Sequence, residues 1–137
     1  MVDLINTIVY AGRLKDKSAL RSSSSGGAFT ALSDFFLGNG NAVVAVIYNY
    51  ETHTAEFQMI LDEKQRERAK GSRYMQSKLG DIYREAYRWL MENPRKELLF
   101  VGMGCQSDGF RKFSEIKGIR DRVYIVDIVC HGTPSPK

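Results

Sequence analysis

The sequence predicts an α/β domain built on a mixed sheet of about five strands, with about three packed helices and one β-hairpin. Short apolar, β-branched runs alternate with segments whose apolar residues recur every three or four positions, a pattern typical of strands alternating with helices. One pair of strand-like runs is separated by a short polar segment, which indicates a hairpin. We expect residues 1–137 to form a single domain, because single domains commonly contain about 100–200 residues.

The first half of the chain is predicted to contain three strands and one long helix. Thr7–Arg13 is rich in β-branched and aromatic residues, as expected of a strand, whereas the serine-rich Lys15–Ser25 has loop composition. The spacing of apolar residues predicts a helix over Gly27–Leu37. Ala42–Tyr48 is almost entirely apolar, as in a strand buried on both faces, and is expected to form the hairpin with Ala55–Leu61.

The second half is predicted to complete the sheet and its helical cover. Asp62–Lys70 has helical propensity without an apolar face, which favours a short exposed helix. An amphipathic helix follows over Leu79–Leu90 and ends near Pro94. The remaining predicted elements are a buried strand at Leu98–Val101, a helix at Gln106–Lys117 and a last strand at Val123–Val129.

Composition excludes several classes of protein. The formal charge is +4, but the basic residues are spread along the chain, so an anionic small ligand is a better expectation than nucleic acid. The longest apolar stretch is far shorter than the roughly 20 residues that span a bilayer, and no signal peptide precedes it. Two cysteines cannot form the dense disulfide framework of small secreted domains. We therefore expect a soluble, cytoplasmic protein with no membrane partner.

A serine–glycine turn leads directly into the predicted helix at Gly27–Leu37. Ser24, Ser25, Gly26 and Gly27 would place hydroxyl donors and unhindered backbone beside a helix N-terminus, where unpaired N–H groups attract phosphate. The pattern thus favours a pyrophosphate site. The alternative is a serine N-cap followed by glycine spacers.

The polar loop before the second amphipathic helix mixes cations, hydroxyls, an amide and an aromatic ring. These groups suit a flavin or nucleotide, which needs an apolar surface for the ring, donors for its polar edge and a cation for phosphate. The candidate contacts are Ser72, Arg73, Tyr74, Gln76 and Ser77. The alternative is an ordinary polar loop, and His53 in the hairpin turn is expected to be solvated surface.

Each of the two cysteines follows a predicted buried strand. Cys105 comes after Leu98–Val101, and Cys130 comes directly after Val123–Val129. If those strands are neighbours, both thiols lie at one edge of the sheet, where open α/β sheets bind ligands. They could supply half of an iron–sulfur site, although each could equally be a reduced buried thiol.

Taken in order, four segments resemble the N-terminal region of the coenzyme F-420 hydrogenase/dehydrogenase beta-subunit family. The matching segments are Arg21–Thr30, Gly71–Gly80, Gly104–Gln106 and Asp127–Pro136. Each is weak alone, but their order and spacing extend the resemblance from about Tyr10 to Lys137.

The resemblance implies a subunit that binds FAD and, in its full-length form, a 4Fe-4S cluster. Such a subunit passes electrons between the cluster and coenzyme F-420 or a similar acceptor, with other redox subunits or a ferredoxin as partners. The resemblance implies that the serine–glycine turn and the polar loop contact the flavin. It also implies that Cys105 and Cys130 correspond to cysteines of the family's cluster region. The resemblance assigns no catalytic residue.

The chain departs from the family pattern in three ways. The ferredoxin-like cysteine segment that often precedes this region is absent, and Gly102-Met103-Gly104-Cys105 stands where Gly-Thr-Pro-Cys is usual. By the resemblance, the C-terminal part of the parent subunit, with its cysteines, is expected to follow Lys137 and not to be included in residues 1–137. The chain is therefore expected to be catalytically incomplete. The alternative is a non-catalytic flavin- or nucleotide-binding module, or one that forms a homo-oligomer through an unfinished sheet edge.

Overall fold

A five-stranded mixed sheet forms the centre of the chain, of which the computed structural model describes residues 7–133. The strands are β1 (Ala42–Asn49), β2 (Thr54–Ile60), β3 (Ser77–Lys78), β4 (Leu98–Met103) and β5 (Val123–Ile128). Their order across the sheet is β3-β2-β1-β4-β5. β1 and β2 are antiparallel and form the expected hairpin, whereas the other three neighbouring pairs are parallel. The predicted fold class is confirmed.

Helices cover both faces of this sheet. They are α1 (Lys17–Arg21), α2 (Ala28–Gly38), α3 (Glu63–Ala69), α4 (Ile82–Glu92) and α5 (Gly104–Ile116), with a 3-10 turn at Arg120–Arg122. α2 and α3 pack on one face, and α4 and α5 pack on the other. Within residues 7–133, no helix is long and apolar enough to cross a membrane.

β1 is buried on both faces because its alternate residues join different cores. Val44 packs with Phe100 and Phe110 beneath α4 and α5. Its neighbour Val43 packs with Leu99 beneath α2 and α3. A strand enclosed in this way has no solvent-facing row for polar side chains, which explains the uninterrupted apolar run.

The predicted strand at Thr7–Arg13 is wrong. Within residues 7–133, this segment is not one of the strands of the sheet, and it is exposed, with Val9 86% accessible, although its residue types favour β structure. It runs instead toward the serine–glycine turn, where the Leu14 N–H donates to the Gly26 carbonyl at 2.9 Å. The two-residue β3, which residue patterns did not indicate, is the fifth strand and pairs with β2. Tertiary context thus overrides strand propensity here.

Two helices differ from expectation. α1 lies within the predicted loop Lys15–Ser25 and begins because the Asp16 side chain accepts from the Ala19 N–H at 2.7 Å. α3 was expected to be wholly exposed, but its Arg66 side chain is buried. That guanidinium lies 2.7 Å from Asp34 of α2 and 2.9 Å from Glu67. Ion pairing therefore lets a helix without an apolar face pack against α2.

Tyr83 ties α4 to the start of α5. Its ring packs against Phe100, Phe110 and Phe113, and its hydroxyl donates to the Gln106 carbonyl at 2.6 Å. Burial raises the pKa of the Tyr83 phenol, with a smaller contribution from the charge of the Cys105 thiolate. The phenol is therefore held in its neutral, donating form.

We predict that adding one methyl group to the glycine turn destabilises the fold. A Cβ at Gly26 would overlap the carbonyl oxygen of Gly12, which is backbone and cannot rotate away. Gly26→Ala should lower the free energy of unfolding by about 1–3 kcal/mol in urea titrations. Gly38→Ala is the matched control, because no atom lies within 4 Å of a Cβ there, and it should be neutral or slightly stabilising. Equal stability of the two variants would contradict this packing.

We also predict a loss of stability at alkaline pH that depends on Tyr83. Because its folded pKa is raised, the stabilisation is fully present below about pH 10 and declines as the pH rises through the folded pKa. Tyr83→Phe should lose about 1 kcal/mol at pH 8 and then show a smaller decline above pH 10 than the wild type. Tyr124→Phe is the control, since its exposed hydroxyl, whose pKa Glu97 raises, should matter little at pH 8. A parallel decline in wild type and Tyr83→Phe would rule out this role.

Candidate functional site

A cavity of about 570 Å³ opens at the carboxyl ends of β1, β4 and β5, on the side of the sheet that carries α2 and α3. Its walls come from five separate parts of the chain: residues 23–32, 45–46, 69–77, 101–106 and 126–133. The parallel pairing of β1, β4 and β5 brings their carboxyl ends to one edge, where open α/β sheets bind ligands. Its volume falls within the range of about 300–1,000 Å³ typical of small-molecule sites.

The first turn of α2 forms one wall. Gly27 precedes the helix in the left-handed conformation, with φ 77°, and no side chain of the described residues caps the first turn. Ala28, Phe29 and Thr30 line the cavity at this end. Their position leaves helical N–H groups and the positive end of the helix dipole available to an anion.

The four serines before α2 have different surroundings. Ser22 and Ser23 both donate to the Ala19 carbonyl, at 3.1 Å and 2.7 Å, so they close the turn after α1. Ser24 lines the cavity, whereas Ser25 is exposed and lies outside the cavity lining. Ser23 also lines the cavity, but its hydroxyl is bonded to Ala19 and Thr30, so Ser24 is the lining serine whose hydroxyl has no partner within residues 7–133.

The two glycines of the turn are required by the packing of a neighbouring segment of the same chain. A Cβ on Gly26 would overlap the Gly12 backbone, and one on Gly27 would overlap the Leu14 side chain. The absence of side chains at both positions therefore leaves room for residues 12–14 to pack against the turn. Gly27 also lines the cavity, but Gly26 does not.

The loop after α3 forms the opposite wall. Four of its five candidate residues line the cavity: Ser72, Arg73, Tyr74 and Ser77. Gln76 does not line it, but its side-chain oxygen accepts from the Thr133 hydroxyl at 3.2 Å, and Thr133 does line it. Tyr74 is exposed at the mouth.

The Arg73 guanidinium holds this loop in place. It donates to the carbonyls of Arg68 at 2.7 Å and Ala69 at 3.1 Å, and also to those of Lys70 and Gly71. Burial lowers its pKa. Arg73 thus satisfies the carbonyl end of α3 and positions the loop. Lys70 is the second cation in the lining, paired with Glu67 at 2.8 Å and donating to Ser22 at 3.0 Å.

Gln106 is a lining residue that sequence patterns did not single out as a site residue. It is buried in the first turn of α5, where its side-chain oxygen accepts from the Met103 N–H at 3.2 Å. Its amide nitrogen donates to the Ser77 hydroxyl oxygen at 2.8 Å and so links α5 to β3. A glutamine three residues into a helix is a known capping position, and that spacing was the available signal.

The two cysteines follow neighbouring strands at the same sheet edge, as expected. Met103, at the end of β4, pairs with Ile128, at the end of β5. Cys105 and Cys130 each come two residues after these strand ends. Cys130 lines the cavity and Cys105 does not, and both are exposed free thiols. Within residues 7–133, no group of three His, Cys, Asp or Glu side chains could hold a metal ion. The described residues therefore do not form a complete cluster site. His53 is exposed, as expected.

Comparison with known proteins identifies relatives of this chain. The family model for coenzyme F420 hydrogenase/dehydrogenase, beta subunit N-term, matches residues 9–83. A chain from the xenon-derivatized F420-reducing NiFe hydrogenase complex of Methanosarcina barkeri superposes with a TM-score of 0.64 at 22% identity. The match covers 86% of this chain and 42% of that one, so this chain spans less than half of its structural relative. At this identity the likeness shows a shared fold.

No curated protein matches the sequence. The family match, by contrast, extends over more than half of the 137 residues and includes the serine–glycine turn and the loop after α3. The protein therefore belongs to the coenzyme F420 hydrogenase/dehydrogenase beta-subunit family and matches it through the N-terminal region of that subunit.

Proposed function

We propose that this chain provides the FAD-binding part of a redox subunit that transfers electrons between an iron–sulfur centre and coenzyme F-420 or a similar acceptor. The observation that carries the proposal is the cavity itself. It combines the uncapped N-terminus of α2 with a largely apolar pocket that contains buried neutral hydrogen-bond donors. Part of its lining lies in the region that matches the family model. FAD needs these features together, since it has a diphosphate at its centre and a broad, mainly apolar ring at one end.

The residues present fit FAD in charge and in chemical character. The α2 N-terminus, at Ala28–Thr30, would hold the diphosphate through backbone N–H groups, aided by the Ser24 hydroxyl and the charge of Lys70. Apolar side chains at the strand ends, among them Val101 and Ile128, would pack against the ring. Ser72 would add a donor, and Arg73 would act by positioning the loop.

Bound FAD supplies the ability to take up two electrons as a hydride and release them singly, which suits an exchange between F-420 and a cluster. The protein's part is to hold the diphosphate, to shield the ring with the strand-end side chains and to leave one face open to the acceptor. We assign no proton-transfer residue to this part of the subunit.

We further propose that Cys105 and Cys130 contribute part of the cluster ligands in the full-length subunit. Four thiolates are usual for a 4Fe-4S cluster, so the remaining ligands would come from outside residues 7–133. The partners of such a subunit would be other redox subunits or a ferredoxin. Both thiols are free, which fits a reducing cytoplasm.

We predict that calorimetric titration of FAD into the purified chain shows saturable binding, with FMN and ATP bound more weakly. Ser24→Asp should raise the FAD dissociation constant about tenfold, because the new carboxylate would lie beside the diphosphate. Ser18→Asp, an exposed change on α1 outside the cavity lining, should leave it unchanged. Absence of FAD binding by the wild type would overturn the proposal. Equal binding of ATP and FAD would favour a nucleotide-binding module instead.

A second prediction uses the two thiols as an internal comparison. Both cysteines are exposed, so iodoacetamide should alkylate both in the unliganded chain. Saturating FAD should slow alkylation of Cys130, which lines the cavity, by about tenfold or more and leave Cys105 unchanged. Peptide mass spectrometry measures both rates in one sample. Equal protection of the two thiols, or none, would argue against FAD in this cavity.

A further inference from the structure

We propose that Ser77 and Gln106 form a fixed hydrogen-donor pair that selects a carbonyl oxygen on the ring of the ligand. The inference rests on the proposed function, which places a flavin in the cavity, and it specifies how the polar edge of that ring is recognised. Both side chains line the cavity, and both are buried, with Ser77 7% and Gln106 4% accessible.

The orientation of the Gln106 amide is fixed by a backbone group. The Met103 N–H can only donate, so the side-chain atom 3.2 Å from it must be the oxygen of Gln106. The other end of the amide is therefore its NH₂ group, which lies 2.8 Å from the Ser77 hydroxyl oxygen and donates to it. The Tyr83 hydroxyl anchors the same residue from behind through the Gln106 carbonyl, at 2.6 Å.

This orientation also determines whether the Ser77 hydroxyl donates or accepts in its bond with Gln106. Its hydroxyl oxygen accepts from Gln106, which leaves the hydroxyl hydrogen to be donated elsewhere. Among the described residues, that hydroxyl forms no hydrogen bond other than the one it accepts from Gln106. The second N–H of the Gln106 amide likewise has no acceptor in this part of the chain. A ligand that supplies an acceptor at this point is favoured, because it gives these buried donors a partner that the protein does not provide.

The surroundings indicate a neutral carbonyl rather than a phosphate as that acceptor. Val46, Met75 and Met103 line the same cavity and bring no charge. The polar contacts of the two lining cations lie away from the pair, since Lys70 bonds to Glu67 and Ser22, and Arg73 bonds to the carbonyls of residues 68–71. A buried phosphate requires cationic partners, whereas a ring carbonyl needs only hydrogen donors. The pyrimidine ring of a flavin carries two such carbonyls.

The test replaces a hydrogen-bond donor of the pair by an acceptor of nearly the same shape. In Gln106→Glu, one carboxylate oxygen can still accept from the Met103 N–H, but the other would accept the Ser77 hydrogen and turn a lone pair toward the cavity. We expect the dissociation constants of FAD and of riboflavin to rise by the same factor, about tenfold or more. Riboflavin lacks phosphate, so an equal effect places the pair at the ring. Gln58→Glu makes the same charge change at an exposed position of β2 and should leave both constants unchanged.

The outcomes separate this inference from the proposed function. If the wild type binds FAD and Gln106→Glu binds both ligands as tightly, the donor pair is excluded while the FAD site stands. A weakened affinity for FAD with unchanged riboflavin binding would place the pair at phosphate and also overturn the inference. Failure of the wild type to bind FAD would overturn the proposed function itself. If Gln106→Glu does not fold, Ser77→Ala decides, with a rise of about threefold or more expected for both ligands.

Discussion

The parallel ladder of β1, β4 and β5 is the constraint on which the rest of the site depends. Its register places Val44 beside Phe100 and Met103 beside Ile128, so the chain leaves these strands at one edge of the sheet. Both faces of β1 are buried, and a shift by one residue would exchange its two cores. The register is therefore strongly specified by burial. Segments far apart in sequence, such as the start of α5 and the residues after β5, meet in one cavity because of it.

Most polar groups around that edge form hydrogen bonds with other groups of the protein. Arg73 binds the carbonyls at the end of α3, Ser23 closes the turn after α1, and Gln106 joins α5 to β3. Within residues 7–133, the N–H groups in the first turn of α2 and the remaining hydrogens of the Ser77–Gln106 pair have no protein acceptor at this edge. Because these groups face a cavity with an apolar wall, they have the distribution expected of a site for a ligand with a charged part and a ring.

Most elements could be predicted from the sequence because their apolar periodicity reflects burial that the structure contains. The strand at Ala42–Asn49 and the helix at Ile82–Glu92 are examples. Thr7–Arg13 has equally good strand composition, but it is exposed, and its end at Gly12 and Arg13 packs against Gly26, which nothing in its own residues reveals. The buried Arg66 was missed for a similar reason, since its burial depends on Asp34 of α2. Ser24, Ser72 and Ser77 could be singled out by residue type and loop position. The glycines' contacts with residues 12–14, and the use of Arg73 within its own loop, required the three-dimensional arrangement.

The most direct test of this account is hydrogen–deuterium exchange of the chain with and without FAD. The account predicts slower exchange in residues 23–30, 70–77, 101–106 and 126–133, which line one cavity although they are distant in sequence. The α4–α5 face, including Arg88 and Lys117, lies outside the cavity lining and should be unchanged. Protection confined to that outer face, or protection of one of the four segments alone, would contradict a single ligand site at the carboxyl edge of the sheet.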